Sequence, residues 1–330
     1  MLAVGCGLAI VAFGVYVVAG GLTSGHSAPR TKTVQAAPRP GSTTSSLAAA
    51  VPSQRNELSL PVAIQETAAA ATPSRLYVAG GYDTARNSSS AVFIFDGSSW
   101  ANGPALPIAV NHPAAASIGD DVFVAGGFSA GSATNRVFVL SRGATNWREL
   151  APMRRPRGAL ALLSTGRRLY AVGGLDGTTQ VATPEVYDPT KATWNDLPPM
   201  AHPRNHVGGY VDGSLVCVAG GREPSTNGTI DCLDTTSLTW RPPILMPTAT
   251  SGAAAAVLNG LAVVAGGEPS NETSIFGNVQ ELRTGAWTMQ PMVTPRHGTG
   301  FAIFEQRLWM CGGATAPGFH AVPTCTSMSA

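Results

Sequence analysis

Residues 169–174 read LYAVGG, and a short apolar run closed by a Gly-Gly pair of this kind occurs six times in the chain. The first glycines of the pairs are separated by 46, 47, 47, 46 and 46 residues: Gly80, Gly126, Gly173, Gly220, Gly266 and Gly312. A marker residue, Leu or Met, stands twenty residues before each of them: Leu60, Leu106, Met153, Met200, Met246 and Met292. Trp follows the first five pairs at a nearly constant distance: Trp100, Trp147, Trp194, Trp240 and Trp287. Such a fixed period indicates a repeat fold in which every unit is one supersecondary element.

Each unit is predicted to form four short strands, which we name a to d. In the third unit these are residues 159–164, 168–172, 185–188 and 192–197, because each is bounded by turn-forming residues. Strand b is apolar at successive positions, which predicts burial on both faces. The sixth unit has no Trp after its glycine pair, and Gln54 occupies the equivalent position ahead of the first unit. Residues 56–60 are therefore predicted to complete the last sheet and close the ring, which removes free strand edges.

The third unit contains Pro152-Met153, Pro156-Arg157, the LYAVGG run, Tyr187-Asp188 and Trp194, and residues 203–209 read PRNHVGG in the fourth. This combination resembles the kelch repeat, and the resemblance extends over about 275 residues. It implies an all-β fold for residues 54–330, namely a six-bladed kelch-type β-propeller with four antiparallel strands per blade. Kelch propellers include binding proteins and enzymes, so the resemblance alone does not decide the function.

The first 22 residues carry no charged side chain, and as a helix they are long enough to cross a hydrocarbon layer of about 30 Å. We expect residues 1–22 to be an uncleaved single-pass membrane anchor; a cleaved signal segment, and hence a secreted protein, is the alternative. Residues 23–53 are rich in Ser, Thr, Pro and Ala, which predicts a disordered stalk. The propeller is then expected on the extracytoplasmic side of the membrane.

The charge distribution argues against nucleic acid as a partner. Residues 23–55 hold four basic side chains and no acidic one, whereas the chain from residue 56 onward holds 17 basic and 19 acidic side chains. A body so close to neutrality lacks the basic surface that binds phosphate backbones.

Candidate site residues lie in the connections from strand d of one unit to strand a of the next. We number these positions from the marker residue, so that the marker plus four is position 4. Position 4 is arginine in three units: Arg157, Arg204 and Arg296. Positions 5 and 6 carry further polar residues: Asn205, His297, Glu66, His112 and His206. In kelch domains that bind ligands, arginines equivalent to those at position 4 recognise acidic groups. A structural role, in which each arginine binds backbone carbonyls or a loop carboxylate, remains open.

Three histidines in alternating units would suit a metal ion on the axis: His112, His206 and His297. We expect the inner strands to hold these rings too far apart, and the spacing indicates no supporting carboxylate. The copper oxidases of the kelch family use a Cys–Tyr pair, for which this sequence has no motif. We therefore predict no metal and no cofactor.

Four of the five cysteines lie in two predicted hairpins, as the pairs Cys217–Cys232 and Cys311–Cys325. If all units share one register, the members of only one pair face each other. We therefore expect at most one disulfide, with free thiols as the alternative. A disulfide would require an oxidising compartment.

These observations favour a membrane-anchored recognition module that binds a protein, peptide or glycan on the face formed by the d–a and b–c connections. An enzymatic role is less favoured. The alternative is an extracytoplasmic carbohydrate-active enzyme similar to the six-bladed kelch sialic-acid mutarotases. Such an enzyme would need an acid–base residue and an arginine at the channel mouth, for which Glu66 with Arg296 or Arg204 are the candidates. A third possibility is the sensor ectodomain of a longer membrane protein.

Overall fold

The structure is a computed structural model that describes residues 53–329. The predicted anchor and almost all of the predicted stalk lie outside the described residues. Within residues 53–329 every regular element is a β-strand. No helix in this part of the chain is long and apolar enough to cross a membrane.

Six antiparallel sheets follow one another along the chain, each with strand a innermost. Blade one consists of Ala68–Thr72, Arg75–Ala79, Val92–Phe95 and Trp100–Asn102. Blade two consists of Ala114–Ile118, Asp121–Ala125, Val137–Leu140 and Arg148–Glu149. Blade three consists of Ala161–Ser164, Leu169–Val172, Glu185–Asp188 and Thr193–Asp196, so all four strands predicted for it are confirmed.

The remaining blades repeat the pattern. Blade four consists of Gly208–Asp212, Leu215–Ala219, Thr229–Asp234 and Thr239–Trp240, and Ile244–Leu245 also pairs with its third strand. Blade five consists of Ala254–Leu258, Leu261–Ala265, Asn278–Arg283 and Ala286–Pro291. Blade six consists of Gly300–Phe304, Arg307–Cys311, Cys325–Met328 and the N-terminal strand Gln54–Glu57. Small hairpins extend two b–c connections, namely Phe128–Ser129 with Ser132–Ala133 and Arg222–Glu223 with Ser225–Thr226.

The N-terminal segment closes the ring as predicted, but its strand spans Gln54–Glu57 and not residues 56–60. Gln54 pairs with Met328 and Glu57 with Cys325, so this strand supplies strand d of blade six. In blades one to five the strand-d Trp donates its indole N–H to a backbone carbonyl just before the marker residue of the same repeat, as Trp194 does to Ala151 at 3.0 Å. Gln54 makes the corresponding contact in blade six, where its amide nitrogen donates to Pro291 at 2.7 Å.

The hydrophobic core lies between the blades. Six clusters of buried side chains each combine residues of two adjacent blades, such as Phe123 and Val137 of blade two with Leu169 and Trp194 of blade three. Strand b of blade three is buried at all four positions, which confirms the prediction of burial on both faces. Each blade therefore depends on its neighbours for its core.

The glycine pairs are explained by the contact between blades. The N–H of the second glycine donates to the carbonyl of position 4 in the next blade, as Gly127 does to Arg157 at 2.9 Å, and the other five blades repeat the bond. A Cβ on the first glycine would lie against the same carbonyl; at Gly126 it would be 2.3 Å from the Arg157 oxygen. Both glycines of the pair also have positive φ, 66° and 94° in blade two. Only glycine combines this conformation with so close an approach.

Two disulfides are present, Cys217–Cys232 and Cys311–Cys325, so the prediction of at most one is wrong. The members of each pair lie directly opposite each other on strands b and c. The error came from assuming one register for all blades. In blade four the N–H of Gly220 donates to the carbonyl of Thr229, and in blade six the N–H of Gly312 donates to the carbonyl of Thr324. Measured between these bonded residues, the b–c connection of blade six is three residues longer. This longer connection places Cys325 opposite Cys311.

Candidate functional site at the axial mouth

A closed circuit of backbone hydrogen bonds surrounds the propeller axis. Each residue at position 6 donates its N–H to the carbonyl of position 6 in the preceding blade, over distances of 2.7 to 3.0 Å. We call the six residues the axial ring: Glu66, His112, Ala159, His206, Gly252 and Gly298. All six have positive φ, between 50° and 63°. This left-handed turn brings position 6 to the axis at the start of every strand a.

A second layer surrounds the axial ring. In each blade the residue at position 5 forms a β-bridge with the residue that follows the glycine pair. The partners from the b–c connections are Tyr82, Phe128, Leu175, Arg222, Glu268 and Ala314. We call the space that these residues and the axial ring enclose the axial mouth.

Three side chains of the axial ring meet on the axis. The Nε2 atom of His112 lies 3.2 Å from Oε2 of Glu66, and the ring centroids of His112 and His206 are 4.9 Å apart. The structure thus brings together Glu66, His112 and His206. For His112 and His206 this corrects the expectation that the rings are too far apart for a metal ion and that no carboxylate supports them. Room for the carboxylate comes from Gly298, where a Cβ would lie 2.2 Å from Oε1 of Glu66.

The neighbouring asparagines hold both imidazoles. Nδ1 of His112 lies 2.7 Å from Oδ1 of Asn111, and Nδ1 of His206 is in contact with Oδ1 of Asn205. Asn205 therefore lies beside the axial ring, where it orients His206.

One side of the mouth is charged. Arg222 donates to Glu268 at 2.9 Å and to Glu272 at 2.6 Å. Nδ1 of His297 lies 3.3 Å from the other oxygen of Glu268 and 3.9 Å from Glu66. These pairs form a continuous chain of charged groups from blade four through blades five and six to blade one.

The other side of the mouth is aromatic. Tyr82 and Phe128 each pack edge to face against His112, with centroids 5.7 Å apart in both contacts. Phe319, from the b–c connection of blade six, packs against Tyr82 at 6.1 Å. The guanidinium of Arg86 lies 4.7 Å above the Phe319 ring.

Burial changes the acidity of the groups at the mouth. Burial lowers the pKa of His112, although Glu66 opposes this effect, and it lowers the pKa of His206 well below its usual value, with His112 and Arg222 adding to the effect. Burial also acts to lower the pKa of His297, but the carboxylates of Glu268 and Glu66 outweigh it and the pKa is raised. Burial, followed by the charge of Glu66, raises the pKa of the Tyr82 hydroxyl.

The three arginines at position 4 lie inside the blades, and each is 0% exposed. Arg157 donates to the carbonyls of Gly173 and Thr183 and, at 2.6 Å, to the carboxylate of Glu185. Arg204 pairs with Asp231 at 2.7 Å, while Arg296 donates to the carbonyls of Gly312 and Thr324. Each arginine joins the end of strand b to the start of strand c in its own blade. This corrects the prediction that they contact a ligand and supports the structural alternative. It also removes Arg204 and Arg296 as partners of Glu66 at the mouth.

Beneath the axial ring, the channel is lined by small and apolar residues of the a strands. A cavity of about 110 Å³ lies there, bounded by Ala115, Leu162 and other apolar residues. Glu66, His112 and His206 of the axial ring also line this cavity, so their polar groups lie at its upper end.

Four further residues of the mouth could not be recognised from the sequence, because the b–c connections differ in length and composition: Tyr82, Phe128, Arg222 and Glu268. The signal that would have found them is their constant place directly after the glycine pair. One position further on, the carboxylates of Asp83 and Asp176 accept backbone N–H bonds and so stabilise their own turns.

Residues 110–154 and 156–201 match the kelch motif, and they run from the start of blade two to the start of blade four. A comparison with curated proteins found no match. Among solved structures, one described as "Structure of YjhT" is 16% identical and has a TM-score of 0.70, and the alignment covers 81% of this chain and 95% of that chain. At this identity the likeness shows the fold alone. The same blade is built six times, so the chain is a six-bladed β-propeller, and its second and third units match the kelch motif.

Proposed function

We propose that this propeller is a recognition protein that binds a polyhydroxylated ligand, a glycan, at the axial mouth. The observation that carries the proposal is the meeting of aromatic rings and fixed charged pairs around one opening. Tyr82, Phe128 and Phe319 stand on one side, and Arg222 with Glu268 stands on the other.

This combination suits a sugar for a physical reason. Sugar rings have apolar faces of C–H groups that pack on aromatic side chains, and their hydroxyls bond to carboxylates and guanidinium groups held at fixed positions. Glu268 is 1% exposed; one of its oxygens accepts from Arg222 and the other lies 3.3 Å from Nδ1 of His297, so it holds the guanidinium of Arg222 in place before a ligand arrives. A site prepared in this way loses little entropy on binding.

The surface favours a glycan over a protein or peptide partner. Protein interfaces are centred on large apolar or aromatic anchors in contiguous patches. Among the described residues, no large exposed hydrophobic side chain lies in the b–c connections that frame the mouth. The large hydrophobic side chains that are exposed lie in other parts of the propeller: Leu58, Val62, Leu238, Ile244, Leu245, Met289, Val293 and Ile303.

We further propose that the propeller is extracytoplasmic and attached to a membrane through residues 1–22. The apolar segment at the N-terminus supports this assignment. The two disulfides also support it, because such bonds persist in oxidising compartments.

A second candidate is an enzyme that acts on a sugar. The contact of Glu66 with His112 at 3.2 Å favours it, because a carboxylate and an imidazole side by side can exchange a proton with a substrate. Arg222 takes the place at the mouth that Arg204 and Arg296 were expected to fill. Nuclear magnetic resonance of a bound sugar separates the two candidates: a binding protein leaves the rate of anomeric exchange and the products unchanged.

The test of the recognition function is binding of the purified full-length chain to a panel of neutral and acidic saccharides, measured by calorimetry. We expect Tyr82→Ala to weaken binding at least tenfold, which corresponds to about 1.4 kcal/mol, because the aromatic surface is lost. Tyr82→Phe is the matched control and should retain most of the affinity. Absence of saccharide binding, or equal affinity for wild type and Tyr82→Ala, would contradict the proposal.

A further inference from the structure

The axial ring brings three side chains of metal-ligand type to one point from three different blades. One ligand atom each of Glu66, His112 and His206 can be chosen so that all lie within 4.8 Å of one another. A metal with bonds of about 2.0–2.2 Å in tetrahedral geometry requires its ligand atoms to be about 3.4 Å apart. Sub-ångström movements of these side chains would therefore place all three around one ion.

The asparagines determine which nitrogen of each imidazole is available. The amide nitrogen of Asn111 donates to the backbone carbonyl of Phe128 at 3.3 Å and to Oγ of Ser88 at 2.8 Å, so its oxygen faces His112. An amide oxygen only accepts hydrogen bonds, and Nδ1 of His112 therefore carries the proton. The same holds in blade four, where the amide nitrogen of Asn205 donates to Gln180 at 2.8 Å and its oxygen faces His206.

A neutral imidazole protonated at Nδ1 has its lone pair on Nε2. In His112 this atom lies 3.2 Å from a carboxylate oxygen of Glu66, which is also an acceptor. Two acceptors at this distance need a positive charge between them, either a proton or a metal ion.

We propose that Glu66, His112 and His206 bind one divalent transition-metal ion such as Zn²⁺ on the propeller axis. Two imidazoles and one carboxylate, with a position left for an external ligand, form a donor set typical of zinc and iron(II) sites in proteins. The Asn111 and Asn205 oxygens on Nδ1 supply the outer hydrogen bonds that orient metal-binding histidines. This site is independent of the glycan proposal, because metal binding is measured without a saccharide.

The framework allows the ligands to be removed one at a time without loss of the fold. Ala159 occupies the equivalent position in blade three, with φ of 54° and the same backbone bonds. His112→Ala and His206→Ala therefore reproduce a residue that the axial ring already contains. Glu66→Gln keeps the size of the side chain and removes its charge.

The experiment uses the purified full-length chain, stripped with a chelator and then equilibrated with Zn²⁺. Mass spectrometry of the bound metal should give one equivalent in the wild type, and competition with a chromophoric chelator gives the affinity. We expect each of His112→Ala, His206→Ala and Glu66→Gln to lower the affinity at least tenfold. The matched control is His202→Ala, which removes an exposed imidazole from the same connection as His206 and should bind like the wild type.

Cobalt(II) provides a second measurement, because its visible absorption reports the ligands directly. The wild type should give a spectrum that His112→Ala and His206→Ala change and His202→Ala does not. Asn205→Leu should retain the ligands but lower the affinity about 10- to 100-fold, since it leaves His206 without its orienting bond. A wild type that binds less than a tenth of an equivalent, or ligand variants that bind as tightly as the wild type, would overturn the proposal.

Discussion

Positions 4 and 6 of the repeat are two residues apart in the same connection, yet they belong to different parts of the molecule. Arg157, at position 4, is enclosed in blade three and its carbonyl accepts the glycine N–H of blade two. His206, at position 6, reaches the axis, where it meets His112 of another blade. Position 4 thus serves the packing of the blades, and position 6 determines what the axial mouth contains. The backbone turns at position 6, where φ is positive, and this turn directs the side chains of the two positions to different parts of the molecule.

The largest effect is expected at position 4. Arg157→Ala should lower the free energy of unfolding by about 3 kcal/mol or more, because the buried carboxylate of Glu185 loses its closest charged partner and keeps only two backbone N–H donors and the more distant Arg155. Urea denaturation measures the loss. Arg136→Ala breaks an Arg–Glu pair that is largely exposed in blade two, so its effect should stay below about 1 kcal/mol. The double change Arg157→Met with Glu185→Leu should recover much of the stability; equal losses for the single and double variants would contradict this explanation.

A smaller loss is expected for Arg296→Ala. Arg296 bonds to carbonyls and to no carboxylate, and burial lowers its pKa to about 10. Its removal leaves unpaired carbonyls but no buried charge, so the expected loss is about 1–3 kcal/mol. If Arg296→Ala proves as destabilising as Arg157→Ala in the same denaturation series, the stranded carboxylate is not the source of the difference.

The two glycines of the axial ring provide a matched pair. Alanine at either position has an unfavourable positive φ, which costs about 1 kcal/mol. At Gly252 the added Cβ would be 3.4 Å from the nearest atom, whereas at Gly298 it would displace Glu66. We therefore expect similar stability for the two variants, but loss of Zn²⁺ affinity in Gly298→Ala alone. Titration with Zn²⁺ decides the point, and equal affinities would show that Glu66 is not a ligand.

The smallest effect on stability is expected for His112→Ala in metal-free protein. Since Ala159 already occupies this position in blade three, the free energy of unfolding should change by less than about 1 kcal/mol. Thermal and urea unfolding after chelation give the value. A loss as large as that of Arg157→Ala would remove the distinction between the two positions.

The fold could be predicted from the sequence because its determinants repeat. The glycine pairs, the marker residues and the Trp positions are set by contacts between identical neighbours, and the absent sixth Trp identified Gln54 as the closing residue. The register of Cys325 could not be predicted in this way, because the length of each b–c connection varies independently.

The site was predictable only in part. Glu66, His112 and His206 share one position and could be grouped from their spacing. The orientation of the arginines could not, because spacing along a connection does not show where φ becomes positive and the chain turns. Arg222 and Glu268 come from connections that share no residue type, so only their place after the glycine pair relates them.

The circuit of hydrogen bonds in the axial ring also affects how the molecule opens. Every ring residue both donates to one neighbour and accepts from the other, so the outward movement of a single blade breaks two bonds. Opening at one blade therefore removes a hydrogen bond that holds the next blade in the ring. The six backbone amides of the axial ring are expected to open as one cooperative unit. In hydrogen–deuterium exchange their protection should fall together, at one free energy of opening, whichever blade carries a destabilising substitution.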